Sequence, residues 1–561
     1  MPKHINRTIV AMFALIAACT GSVRAADNLG VLQGVVKDGA GAPIAGAFVK
    51  MKNGERRLTF MVISQAQGRY TASVPPGKYV VQGVGGDYQS ALSAQKDVAA
   101  GRSTTVDVAL TDKRAPQLPN AWPGRPPGSG GGEAAATAPL NLPDGNGKQL
   151  VTGKCSACHD AARIGNARYD RARWQTVIDD MQAYAQGSEF AKELTSQEVN
   201  VLLDYLVTNF SDAEARGGRG RQPVDPNSRL PRTLLQGDAT KYIAVEFELP
   251  KTSVEPHEVT VDNKGNGWVT QRTGGRLGRF DVKTFTYTEL DPPPALSKKV
   301  RLNGIVRGLD NKIWFLDGGP NRRWLNYDLA TETFNSFTLP KLKNGNASGN
   351  TMRVHPDGTV WLCSLEANQI IRLDPKTKHF DVWDVPAGVK AKKSANPYGM
   401  AIAGDGKVWF VENAMNQLGR IDPMTGKFDE YPIPVKEAVA RKMGMDSEGN
   451  IWVGLHIPGK LMKVDQKTIE MTIFDPPTKD SGVYSVQGDP KSKLVWFSQQ
   501  HADQIARFNP ATRTFTEFPL ATAEEDHRRI EIDPSNPNRI WWSGNVSGRM
   551  GYIELLDGKR N

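Results

Sequence analysis

The chain has 561 residues, with 70 Lys and Arg against 60 Asp and Glu, for a net charge of +10. That length implies two or three domains, and so mild a charge over so many residues does not mark a nucleic-acid-binding protein. The four cysteines, Cys19, Cys155, Cys158 and Cys363, are too few for a disulfide framework.

Residues 1–25 read as a secretory leader. Lys3 and Arg7 precede an apolar run from Ile9 to Cys19 that is short for a membrane span, and Val23-Arg24-Ala25 offers a small-residue cleavage site. Removing Lys3, Arg7 and Arg24 lowers the net charge from +10 to +7. The stretch has a second reading: Ile16-Ala17-Ala18-Cys19 resembles a bacterial lipobox, which implies a lipid anchor on Cys19. Either reading makes the mature chain periplasmic. No later stretch is long and apolar enough for a membrane helix.

The fold class expected is multidomain and mainly β: a β-sandwich, a small all-α domain and a seven-bladed propeller. Residues 31–111 carry the sandwich pattern. Short alternating runs such as Leu32 to Val36, Ala47 to Met51, Arg69 to Val74 and Lys78 to Val84 are separated by Gly and Pro turns. The set Gly34-x-Val36, Ala42-Pro43-Ile44-Ala45-Gly46-Ala47 and Pro75-Pro76-Gly77-x-Tyr79 resembles the carboxypeptidase regulatory-like domain. That resemblance implies an accessory module. Residues 112–143, rich in Pro, Gly and Ala, read as a linker.

Residues 144–211 contain Cys155-Ser156-Ala157-Cys158-His159, the Cys-x-x-Cys-His attachment pattern of a c-type haem. Two thiols reach two vinyl groups of one porphyrin, and the adjacent imidazole ligates the iron as proximal ligand. Half of a zinc site is the competing reading, but the next cysteine is Cys363, far along the chain. Helical periodicity follows in Trp174, Val177, Ile178 and Met181, and again from Val199 to Phe210 behind a Thr195 to Glu198 cap. The segment is similar to a small monohaem cytochrome c. Met181 is the candidate distal ligand; the alternatives are core packing of Met181 and a five-coordinate iron. Residues 212–236 read as a second, flexible linker.

From 240 to 556 a repeat is centred on Trp268, Trp314, Trp361, Trp409, Trp452, Trp496 and Trp541, in steps of 43 to 48 residues. Each unit pairs its tryptophan strand with an Arg- or Lys-containing strand, an Asp-x-x-Thr turn and an outer strand. This pattern predicts seven four-stranded blades, with Tyr242 to Pro250 completing the last one.

The repeat resembles the streptogramin lyase (virginiamycin B lyase) family. That resemblance implies a Mg2+-dependent carbon–oxygen lyase site at the channel mouth, with Glu255, His257 and His527 as candidate catalytic residues. The acid position of that site holds Gln271, while Glu412 supplies an acid in blade four beside Tyr398 rather than a histidine. Asp317, His456 and His501 also follow blade tryptophans closely. Three functions are therefore expected in competition. The first is an electron-transferring protein with covalent haem c, held by Cys155, Cys158, His159 and Met181 and served by a redox partner protein or a small-molecule donor. The second is the lyase, and the third is a non-catalytic binding protein in which haem serves sensing or stability.

Overall fold

The structure is a computed structural model and describes residues 29–120, 142–155, 164, 169–185, 192–211, 225–295, 300–318, 321–340, 342, 349 and 351–556. The leader with Cys19, and the motif residues Cys158 and His159, lie outside the described residues.

The N-terminal sandwich is built from β1 (Gly30–Asp38), β2 (Phe48–Asn53), β3 (Leu58–Ile63), β4 (Arg69–Val74), β5 (Gly77–Gly85) and several shorter strands. One sheet pairs β1 antiparallel with β4 and parallel with Ser103–Thr105. The other runs β5–β2–β3. Period-two alternation turns Leu32, Val36, Met51, Phe60, Tyr79 and Val81 into one core between the sheets.

Three helices follow: α1 (Lys148–Gly153), α2 (Arg171–Ala185) and α3 (Ser196–Phe210). The cap read from the sequence starts α3. Thr195 Oγ1 accepts from Glu198 N at 3.2 Å, and Glu198 returns a carboxylate to Thr195 N at 2.7 Å. Trp174 and Ile178 of α2 meet Leu202, Leu203, Leu206 and Phe210 of α3 in a small apolar cluster. Among the described residues no helix is long and apolar enough to cross a membrane.

The C-terminal half forms seven four-stranded sheets. Six of them are consecutive antiparallel meanders, from Pro256–Val261 in blade one to Thr514–Pro519 in blade six. The seventh takes three strands from the chain end, and Tyr242–Glu248 pairs with Arg549–Leu555 as its outermost strand. The expected closure is present, and it leaves no open blade edge between the two ends of the ring. Blades one and seven meet so tightly that a Cβ on Gly267 would lie 2.5 Å from the Trp541 ring. All seven repeat tryptophans are buried. In blades three and four the tryptophan stacks on an aromatic of the outer strand (Trp361 on Trp383 at 5.4 Å, Trp409 on Tyr431 at 5.5 Å) with Arg372 or Arg420 laid over the pair. Asp381 and Asp429 neutralise those arginines, which explains why the repeat carries a cation on its third strand.

Two features differ from the sequence expectation. The sandwich does not stand apart, because β3 pairs with the free edge of Tyr242–Glu248, from Ile243↔Val62 to Phe247↔Leu58. Sandwich and blade seven thus share one ten-stranded sheet. Nor are the described parts of the two linkers loose. Arg114 donates to the carbonyls of Gly86, Asn227, Leu230 and Pro231. Asn227 joins Lys50, Gln82 and Gln89, Arg229 pairs with Asp503, and Leu230 is buried against Phe48 and Phe518. Buried backbone must find partners, and here each linker supplies them for the other.

Candidate functional site

The innermost strand of six blades carries a register shift near its start: Pro256/Val259, Leu302/Ile305, Pro397/Met400, Ala440/Met443, Val483/Val486 and His527/Ile530. Such bulges re-aim side chains. The first bulged residue is His257, Asn303, Tyr398, Arg441, Tyr484 or Arg528, and the second is Glu258, Gly304, Gly399, Lys442, Ser485 or Arg529.

Three members of the second set form an ion-pair cluster. Glu258 of blade one accepts from Lys442 of blade five and from Arg529 of blade seven at 3.3 Å. Arg529 also holds Glu531 at 2.7 Å. Side chains from the neighbouring blades one and seven and from blade five therefore meet, all nearly inaccessible to solvent.

The first set lies toward the mouth. Tyr398 and Tyr484 share a hydroxyl–hydroxyl hydrogen bond, and Arg441 stacks on both rings at 5.3 and 5.6 Å. His456 meets Tyr484 edge-on at 5.4 Å and His501 at 4.6 Å, and hydrogen-bonds Gln500 at 2.8 Å. Gln500, Arg528 and Asn545 all donate to Asp526. Burial, then the nearby His501 and Arg441, hold the His456 imidazole well below its ordinary value, so it is neutral. This cluster is aromatic, amide-rich and cationic, and the Asp526 carboxylate within it is engaged by three side chains.

The expected lyase residues do not assemble. His257 is buried, and its Nδ1 lacks a hydrogen-bond partner among the described residues. Burial, then Arg272, Arg528 and Lys442, keep it neutral and far below the usual histidine range, which makes it a weak base at neutral pH. Glu255 caps a single helical turn with φ 51°, and its carbonyl accepts from Arg272 N at 3.0 Å. His527 pairs with Gly544 as Pro256 pairs with Gln271, so it stands one residue out of phase with His257. A one-residue shift turns a side chain to the other face of the strand. Accordingly Arg528 takes the mouth position, and His527 hydrogen-bonds Gln504 O in blade six at 2.9 Å. Gln271 points outward in its own blade, to Tyr287 at 3.0 Å and Glu289 at 2.7 Å. Asp317 is occupied by Arg323, Asn321 and the Arg301 amide.

Mg2+ requires free anionic oxygens in octahedral array. The first bulged residues instead include two arginines and no carboxylate, and among the described residues no cluster of three or more His, Cys, Asp or Glu is arranged to hold a metal ion. The residues present do not fit the ion.

Glu412 is buried, and among the described residues its one side-chain hydrogen bond is accepted from Gln417 at 2.7 Å. Burial pushes its carboxyl up from 4.5 to about 7. The unfolded chain releases this proton at lower pH than the folded one does, so this group's contribution to stability is greatest below pH 4.5 and declines as pH rises to about 7. Glu412→Gln is expected to remove that decline and to be more stable than the parent at pH 8 by about 1–3 kcal/mol. Urea unfolding at pH 5 and pH 8 checks this, and parallel pH profiles for the two proteins would sink it.

A signal for the mouth residues exists in the sequence. Each precedes its blade tryptophan by 11 residues in blades one, two, four and five, by 12 in blade six and by 13 in blade seven. Reading after the tryptophans finds His456 and His501 but not Tyr398, Arg441, Tyr484 and Arg528 as one set.

The virginiamycin B lyase family model matches residues 296–559, and the carboxypeptidase regulatory-like domain model matches residues 31–111. Among solved structures, a streptogramin B lyase is 21% identical, covering 57% of this chain and 100% of its own, with a TM-score of 0.51. The virginiamycin B lyase of Staphylococcus aureus is 20% identical over 56% of this chain and 100% of its own, with a TM-score of 0.49. None of the curated proteins matches. At such identity the likeness establishes the propeller fold, and the chemistry must be argued from the residues.

Proposed function

We propose that the chain is an exported c-type haem protein, acting in the periplasm, whose propeller binds the substrate or redox partner that exchanges electrons with it. The observation that carries the reading is the setting of the first motif cysteine. Cys155 follows α1 directly and lies half-buried against the helical cluster, beside partly buried apolar residues such as Leu150, Val177 and Val199. Burial pushes its thiol up to about 11. Zinc binding requires the thiolate, which this setting disfavours. A thioether carries no charge and suits an apolar surround. Met181 brings a second neutral sulfur from α2, where it is half-buried.

On this reading Cys155 and Cys158 would anchor the porphyrin, and His159 and Met181 would ligate its iron. The bound haem would supply a one-electron iron centre. Electron exchange requires a docking surface, which the propeller would supply. The lyase alternative has no support in the propeller mouth, where His257 is a poor base and the neighbouring carboxylate of Glu258 is held by Lys442 and Arg529.

The test is a haem stain and a reduced absorption spectrum of the full chain, expressed with a c-type haem attachment system and exported. The expected result is haem that stays with the denatured chain and a sharp low-spin α band. A chain that carries no covalent haem under those conditions would overturn the proposal.

A further inference from the structure

Where the ten-stranded sheet crosses from the sandwich into blade seven, one face of it floors an open cleft of about 1060 Å³. Pro226, the Thr522 to Glu524 segment, Val546 and Ser547 wall it, and none of its lining residues belongs to the propeller mouth. The volume suits a small-molecule ligand. No lining residue is aromatic, so there is no platform on which to stack a sugar ring.

Three lysines define the floor. Lys50 and Lys52 are two residues apart on β2 and therefore share a face, about 7 Å apart. Lys52 stands opposite Val80 of β5, which puts Lys78 on the diagonal, about 7–8 Å away. Like charges so placed oppose folding, and the lining acids Glu55, Glu246, Glu248 and Glu524 offset them only in part, Glu246 together with Asp225 acting on Lys50. Glu246 accepts from the Ala521 and Thr522 amides at 2.7 and 3.1 Å and from Thr522 Oγ1 at 2.6 Å. Glu248 pairs with Arg549 at 3.2 Å, while Glu55 is exposed. Lys52 and Lys78 make no ion pair among the described residues. Lys50 is only 8% exposed, and its one hydrogen bond among the described residues goes to Asn227 Oδ1 at 2.7 Å. An ammonium has three donors, so two remain unspent in the floor of the cleft.

We propose that this cleft binds a small polyanion, a di- or tricarboxylate or a phosphate compound, whose negative charges are shared by Lys50, Lys52 and Lys78. Rigid fusion of the two domains fixes the floor, so the ligand meets a preformed site. Isothermal titration of the full chain with citrate and with pyrophosphate at low ionic strength tests this, repeated on the double variant Lys52→Gln/Lys78→Gln. Both side chains are exposed and their mutual repulsion is removed, so the thermal unfolding midpoint of the variant is expected to be no lower than the parent's. Saturable binding of at least one probe, weakened roughly tenfold or more in the variant and by added salt, is the expected result. Binding of citrate alone assigns carboxylates, and binding of pyrophosphate alone assigns phosphates. If neither probe binds, or the double variant binds as tightly as the parent, the proposal is wrong.

Discussion

Replacing Glu258 with alanine is expected to destabilise the propeller by about 3–5 kcal/mol, the cost of removing one partner from a buried ion pair. Glu258, Lys442 and Arg529 are 0%, 1% and 1% exposed, and the carboxylate bridges the two cations. Without it Lys442 loses its only ion pair among the described residues, whereas Arg529 retains Glu531. The double variant Glu258→Ala/Lys442→Met is therefore expected to recover part of the loss, because the stranded ammonium is gone. Glu258→Gln should fall between parent and alanine. Urea unfolding followed by tryptophan fluorescence reads these differences, since the blade tryptophans are buried in the same ring. A Glu258→Ala loss below about 1 kcal/mol, the range of an exposed pair, would mean that water reaches this cluster.

On the proposed function, Cys155→Ala is expected to abolish most covalent haem, and with it much of the fold of the helical region. Among the described residues its core cluster has ten buried hydrophobic residues, few for a domain that must stand without a prosthetic group or disulfide. The variant should therefore lose both the haem stain and helical circular dichroism. Met181→Ala separates ligation from attachment. It is expected to retain covalent haem but to convert the low-spin spectrum to high-spin and to lower the potential, because a thioether ligand raises it. An unchanged spectrum would make Met181 a packing residue alone. Retention of full covalent haem by Cys155→Ala would sink the anchoring role itself.

Much of the architecture was legible because it repeats. Seven tryptophans at near-constant spacing, and the incomplete last unit with its spare strand at Tyr242, require a closed ring whatever the tertiary details. The sandwich pattern and the α3 cap are likewise local, set by alternation and by a Thr195 to Glu198 exchange that needs only neighbouring residues. The candidate site was legible by residue type but not by phase. His527 and His257 look equivalent when each is read as opening a blade, yet the bulged register puts Arg528 where a second histidine was expected.

What the sequence determined alone was therefore the sandwich ahead of the propeller, the blade number and the closing strand, all of which depend on short-range pattern. Only the tertiary structure decided three further things. These are that Glu258, Lys442 and Arg529 meet across the channel, that β3 docks on the closing strand to fuse the sandwich with blade seven, and that residues 225–235 pack as a strap between the two. The physical reason is common to all three. A strand edge, a buried charge and a linker carbonyl each need a partner, but chemistry does not specify which distant residue supplies it. That choice is made by the closure of the ring, which brings residues hundreds of positions apart within hydrogen-bonding distance.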